Sequence, residues 1–267
     1  MFTHFVRFEI RYRFRQVSTY VYFLMWFLLM FFSVSTTDFG PVGNGNVKLN
    51  GPFALGELYV QYTAFGVFVI SAIFGTSILR DFRDETWQLI FTRPISKFDY
   101  LAGRWAGSLI VCSIVFSGLI FGAMAGTLAP WADQPRIAPI DIKVYLQPFL
   151  TLTMVQIFCL GSLFFAVAAL SRRVVIVYLQ AVVLFSLYLI GIVILSATGG
   201  LERFWPSVLD PLGILMYNSL TRYWTVAERN TMLLSWNGVL LYNRLIWSVA
   251  ARRSSRRPRS VSKAAPG

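Results

Sequence analysis

The sequence predicts an all-α polytopic membrane protein of about six spans. An interfacial helix precedes the first span, and a short amphipathic helix lies in the first inner connector. Three observations carry this expectation. Of 267 residues, 56% are hydrophobic and only 13% charged, about half the charge of a soluble domain. Apolar runs of membrane-crossing length alternate with polar segments along the chain. The charges cluster in those segments instead of spreading, and the mean hydropathy is +0.61.

Taken in order, residues 1–16 place Arg7, Arg11 and Arg15 on one helical face, with Phe2, Phe5, Val6 and Ile10 roughly opposite. That pattern suits a helix lying on the inner leaflet with its guanidinium groups at the lipid phosphates. Arg13 interrupts the apolar side, and a plain basic flank of the first span is the alternative. The long apolar run behind it, with no small-residue cleavage site, makes the N-terminus a retained segment, not a signal peptide. Spans are expected at 17–34, 58–79, 105–128, 148–170, 174–196 and 232–251, followed by a basic disordered tail over 252–267. The external loops at 35–57 and 129–147 are rich in Gly, Pro and Asn. In the third span and just before it, Gly103, Gly107, Gly118, Gly122 and Gly126 share one helical face, which permits close backbone packing within the chain or across a dimer. Pro148 is placed at the first turn of the fourth span, where proline is tolerated. Gln156 and Gln180 are expected to hydrogen-bond between helices. Residues 197–231 read as amphipathic surface or re-entrant helices with Trp205, Tyr217, Tyr223 and Trp224 as interfacial anchors. Thr225 and Glu228 have capping-box spacing. Asn243 and Arg244 make the last span the weakest, since a mid-bilayer Arg costs at least about 2.5 kcal/mol.

With the N-terminus inside, inner segments hold 17 of the 24 Lys and Arg and outer segments hold 6. This bias places the N-terminus in the cytoplasm and favours a sixth crossing. It also accounts for the net charge of +12, so nucleic acid is not an expected partner. His4 is the sole histidine, and Cys112 and Cys159 sit in apolar runs without ligand spacing, so no metal site or cofactor is expected. The chain lacks a phosphate-cradling loop, the zinc-protease and serine-hydrolase motifs, and paired carboxylates within its spans. Catalysis within the bilayer and ion-driven transport both lose support.

The longest charged stretch in the apolar region is 80–104. Trp87, Ile90 and Phe91 share a helical face, Asp84 and Glu85 sit at its positive end, and Arg93-Pro94 ends it. Ser96 with Asp99 is expected to cap a second helix leading into the third span. An interfacial connector resting on lipid is the simpler alternative.

On these residues the chain resembles the permease subunits of type-2 ABC exporters. The resemblance rests on the basic N-terminal segment, on R-D-x-x-x-x-T-W-x-L-I-F-T-R-P-I-S-K-x-x-Y-L-x-G-R between spans two and three, and on D-P-L-G, T-R-Y-W-T-x-x-E-R-N and N-R-x-x-W at 210–247. It runs to about Trp247 and implies six spans, an N-terminal elbow helix and a coupling helix matching Asp84, Glu85, Trp87, Ile90, Phe91, Arg93 and Pro94. It further implies a prokaryotic inner-membrane location, a second permease half of the same or another kind, and a separate ATP-binding subunit that hydrolyses the ATP. This chain would then be no enzyme, with the lipid bilayer as its other partner. Family members continue apolar past that point, whereas this chain turns to Arg and Ser after Ala251, so a shortened last span is expected. Two other classes stay open: a non-transporting membrane anchor, told apart by whether an ATPase co-purifies, and a membrane-embedded enzyme, told apart by neutral substitutions at Asp210, Arg222, Glu228 and Arg229.

Overall fold

The computed structural model describes residues 1–37, 45–83, 96–171, 173–200, 204–236 and 238–256. Among them the regular elements are helical and no strand occurs. Among the described residues four helices are long and apolar enough to cross a membrane, or five when a bent pair counts as one span.

Helix α1 (Phe2–Arg13) passes through Gln16, in extended backbone, into α2 (Val17–Ser35). The second expected span is a bent pair, α3 (Pro52–Phe65) and α4 (Val67–Arg83), with 48° between its halves. A kink of this size needs a local cause. Here it is Gly66, whose missing side chain admits the ring of Phe116; a Cβ at Gly66 would overlap that ring. Phe116 is fully buried and stacks on Trp26 with centroids 5.0 Å apart, so the ring is not free to move aside.

The third span comprises α5 (Lys97–Phe116) and α6 (Gly118–Gly126). Ser96 takes the N-cap position of α5, but its hydroxyl makes no bond to the helix. It is exposed, where water competes for the same donor, and Asp99 is one methylene shorter than the Glu of a standard capping box.

The fourth span starts earlier than expected. Asp141 caps α7 (Ile142–Pro148), its carboxylate accepting the Lys143 N–H at 3.0 Å. Pro148 therefore lies inside the helix instead of at its first turn. Its ring and missing N–H disrupt the regular ladder, and the chain widens into a π turn at Phe149–Met154 before α8 (Val155–Ser171). Next comes α9 (Val174–Ala197), with most of its apolar surface exposed.

The last third holds α10 (Phe204–Leu209), α11 (Ile214–Thr221), α12 (Val226–Thr231) and α13 (Gly238–Arg256). The expected capping box forms: the Thr225 N–H donates to Glu228 Oε2 at 2.8 Å and the Glu228 N–H to Thr225 Oγ1 at 3.4 Å. Of the expected anchors, Trp205 and Tyr223 are exposed, but Tyr217 is buried and donates its hydroxyl to the Phe53 carbonyl at 2.7 Å. The span expected at 232–251 is not among the membrane-length helices. Residues 232–236 are not helical, and α13 begins at Gly238 with Asn243 and Arg244 packed inward.

In the bundle, α1 lies along α5, α2 along α6, α4 against α8 and α9, and α13 along α8. Trp26, Met30, Tyr59, Phe74, Phe116 and Phe164 fill the core between them. At the end remote from α1 the connecting loops are stitched together. Asn50 exchanges two hydrogen bonds with the Ala138 backbone at 2.7 and 2.8 Å, and Asn230 Oδ1 accepts the Lys48 N–H at 2.7 Å.

Candidate functional site

Glu9 projects from α1 into the protein and is wholly buried. A carboxylate in such a place is stable only with strong compensation. Three guanidinium groups provide it. Arg13 Nε donates to Oε1 at 3.0 Å, while Arg80 Nη2 and Arg104 Nη1 donate to Oε2 at 2.8 and 2.7 Å. Each of these arginines is itself less than a tenth exposed.

The four groups come from three helices, and local structure explains how each arrives. Glu9 and Arg13 are one turn apart in α1, so they share a face. Arg80 lies near the end of α4, and Arg104 lies early in α5. Helix α1 can approach α5 because Gly103 and Gly107 present no side chains. A Cβ at either would fall 2.6 Å from the Cβ of Phe5 or Glu9, respectively. Arg13 also reaches α4, where its Nη2 donates to the Ile73 carbonyl at 2.6 Å and to Thr76 Oγ1 at 2.7 Å. Aromatic faces cover the other guanidinium groups: Arg80 lies 3.8 Å from the Tyr12 ring centroid and Arg104 4.9 Å from that of Phe8.

Burial alone would raise the Glu9 carboxyl above its ordinary value of 4.5, but the charges of Arg80, Arg13 and Arg104 outweigh it and hold the group below that value. A depressed carboxyl stabilises the fold above its unfolded value, and that stability drains away as pH falls through the lower folded value. The difference in melting temperature between the wild type and Glu9→Gln is therefore expected to be full at pH 6–7 and to shrink below pH 4.5. A thermal-shift series from pH 7 to pH 3 measures it; a constant difference would remove Glu9 ionisation from the account.

The cluster brackets the 84–95 connector. Arg80 leads into that segment, Arg104 follows it, and both bind the same Glu9 oxygen. The sequence-predicted coupling residues Asp84, Glu85, Trp87, Ile90, Phe91, Arg93 and Pro94 lie outside the described residues.

The glycine face packs within the chain. Gly103 and Gly107 meet α1, and the other three meet α2. A Cβ at Gly118 would fall 2.6 Å from the Phe23 carbonyl oxygen and one at Gly126 2.7 Å from that of Phe31; one at Gly122 would overlap the Phe27 carbonyl. Steps of four on α6 thus face steps of four on α2, with backbone against backbone.

A second polar knot joins the two ends of the C-terminal pattern. Asp210 is buried and accepts the N–H groups of Leu212 and Met216 at 3.0 and 3.1 Å. Burial holds its carboxyl above the ordinary range although those backbone donors pull it down. Asn243 Nδ2 reaches the carbonyls of Ser207, Val208 and Asp210 at 3.3, 2.9 and 2.8 Å. Arg244 Nη1 donates to Gln156 Oε1 at 3.3 Å, and Gln156 Nε2 donates to the Pro211 carbonyl. Gln156 thus bridges helices as expected, whereas Gln180 Nε2 is buried without a partner among the described residues. Asn243→Leu strands three carbonyls and should cost about 1–3 kcal/mol, read in thermal unfolding; an unchanged melting temperature would show that water replaces the amide.

No family model matches the chain, and no curated protein matches it.

Three of the four residues named for an enzymatic reading make the following structural contacts. Asp210 holds the start of α11, Glu228 caps α12, and the Arg229 guanidinium lies 4.5 Å from the Phe53 ring centroid. Arg222 and Arg229 share a cavity of about 440 Å³ with Glu57. Among the described residues no group of three or more His, Cys, Asp or Glu is placed to hold a metal ion. The residue of this candidate site that sequence reasoning passed over is Glu9. Its signal was a lone acid among four arginines in the first 16 residues, one turn before the Arg13 that broke the apolar face.

Proposed function

We propose that this chain is the permease half of an ATP-driven exporter of the type-2 ABC class, moved by a separate ATP-binding subunit that engages the 84–94 connector. The observation that carries the reading is the shared carboxylate of Glu9. It binds an arginine on each side of the connector and a third on its own helix. A push on the connector therefore reaches α1, α4 and α5 together instead of dissipating in one loop. The glycine contacts extend the path from α5 to α1 and from α6 to α2. In this reading the N-terminus and connector are cytoplasmic, in keeping with the Lys and Arg bias, the sixth crossing runs through α13, and a second permease half completes the pathway.

The test is a tagged pull-down from native membranes with mass spectrometry, on the wild type and on Trp87→Ala with Phe91→Ala. An ATP-binding protein should accompany the wild type and be lost, with substrate-linked ATPase activity, in the double variant. If both survive in the variant, the connector is not the docking element. If no ATP-binding protein is recovered with the wild type, the chain is a membrane anchor and not an exporter subunit.

A further inference from the structure

A cavity of about 260 Å³ opens between α1, α2, α4 and α9, beside the Glu9 cluster. Its wall includes Arg13 and Arg80, each less than a tenth exposed. Among the described residues no Asp or Glu lines it; Glu9 sits behind the two arginines. The remaining polar wall is rich in donors. The hydroxyls of Ser18, Tyr22 and Tyr178 and the side-chain amide of Gln16 line the cavity and, among the described residues, make no hydrogen bond within the chain. At this volume the cavity is smaller than a drug-sized pocket, which occupies about 300–1,000 Å³.

Its depth is also defined. Ser18 and Tyr22 lie in the first two turns of α2, Tyr178 in the second turn of α9, and Thr76 to Arg80 in the last turns of α4. At 1.5 Å per residue, each is within about 10 Å of the end of a membrane-length helix. That is where lipid headgroups meet a spanning protein, and the first turn of α2 adds favourable dipole character for an anion.

We propose that this cavity binds a phosphate group presented at headgroup depth. Arg13 and Arg80 supply the charge, and Ser18, Tyr22, Tyr178 and Gln16 donate to the phosphate oxygens. Arginine suits this chemistry because its planar donors match oxyanions. The inference does not depend on the exporter reading, since any membrane role for the chain leaves the cavity in place.

The experiment uses the full chain, delipidated in a neutral detergent, and three probes: dioctanoyl phosphatidylglycerol, dioctanoylglycerol, which has the same chains without phosphate, and inorganic phosphate. Phosphatidylglycerol is expected to raise the apparent melting temperature by about 2–4 °C at saturation, and dioctanoylglycerol to leave it unchanged. A matching rise with inorganic phosphate assigns the site to soluble phosphate compounds; a rise with the phospholipid alone assigns it to lipid. Ala72→Leu, which fills the cavity from α4, should abolish the response. Tyr178→Phe and Ser18→Ala leave the ion cluster intact and should each weaken the titration about tenfold. The proposal fails if neither phosphate probe shifts the protein or if dioctanoylglycerol shifts it equally. It fails too if Tyr178→Phe and Ser18→Ala both titrate as the wild type does, which would assign binding to the arginines on the outer face of α1.

Discussion

Glu9→Ala is expected to cost about 3–5 kcal/mol, because removing one partner of a buried ion cluster leaves the others uncompensated. In a chain of this size that corresponds to a fall in apparent melting temperature on the order of 10 °C. The cause is specific: Arg13, Arg80 and Arg104 stay buried and face one another across the space the carboxylate vacates. Thermal unfolding in detergent measures the loss. Simultaneous replacement of Glu9, Arg13, Arg80 and Arg104 by Met should recover most of it, since well-packed apolar groups substitute for buried ion sets at little cost. That variant separates two roles. If the cluster only holds the fold together, the proposed ATPase coupling through the connector survives in it; if the cluster transmits motion, stability returns and that proposed coupling does not. A loss below about 1 kcal/mol for Glu9→Ala would show that other neighbours carry the arginine charge, and the shared-carboxylate account of the cluster would have to be abandoned.

Gly122→Leu should separate α2 from α6 and destabilise the protein by at least about 3 kcal/mol, beyond the ordinary range for an overpacked core side chain. A Cβ at this position overlaps the Phe27 carbonyl, and backbone cannot swing away as a side chain can. Relief requires moving a whole helix whose other contacts, at Gly118 and Gly126, are nearly as close. The chain contains its own control. Gly191 lies in α9, and a Cβ there would meet nothing within 4 Å. Gly191→Ala should therefore be neutral or stabilise slightly, by up to about 1 kcal/mol from helix propensity. Equal effects of Gly122→Ala and Gly191→Ala on unfolding would show that the glycine face is not a packing surface.

Much of the architecture was legible in the sequence because membrane-length apolar runs and capping residues act locally. The helices through 17–34, 105–128 and 174–196 follow from the length of their apolar runs, and Thr225 with Glu228 needed only their own spacing. The glycine periodicity announced a close contact, although its partner within the chain, α1 and α2, could be found only by folding. Two of the differences arose where a remote group intervened, and one where a local N-cap started a helix ahead of its apolar run. The Phe116 ring bends the second span at Gly66, Pro148 sits inside a helix that Asp141 starts earlier, and Tyr217 is drawn from an interfacial role into the core by the Phe53 carbonyl.

The candidate site divides in the same way. Composition and charge bias establish an apolar helical chain whose charges gather in a few segments, and they single out 80–104 as the most charged of these. Those properties belong to each stretch on its own. That Glu9 joins the two shoulders of that segment, and that Asp210 and Asn243 close a single knot across 33 residues, was decided only by tertiary structure. A buried charge carries no local signature: whether it is tolerated depends on which opposite charges the fold brings within about 3 Å, and those lie 71 and 95 residues away.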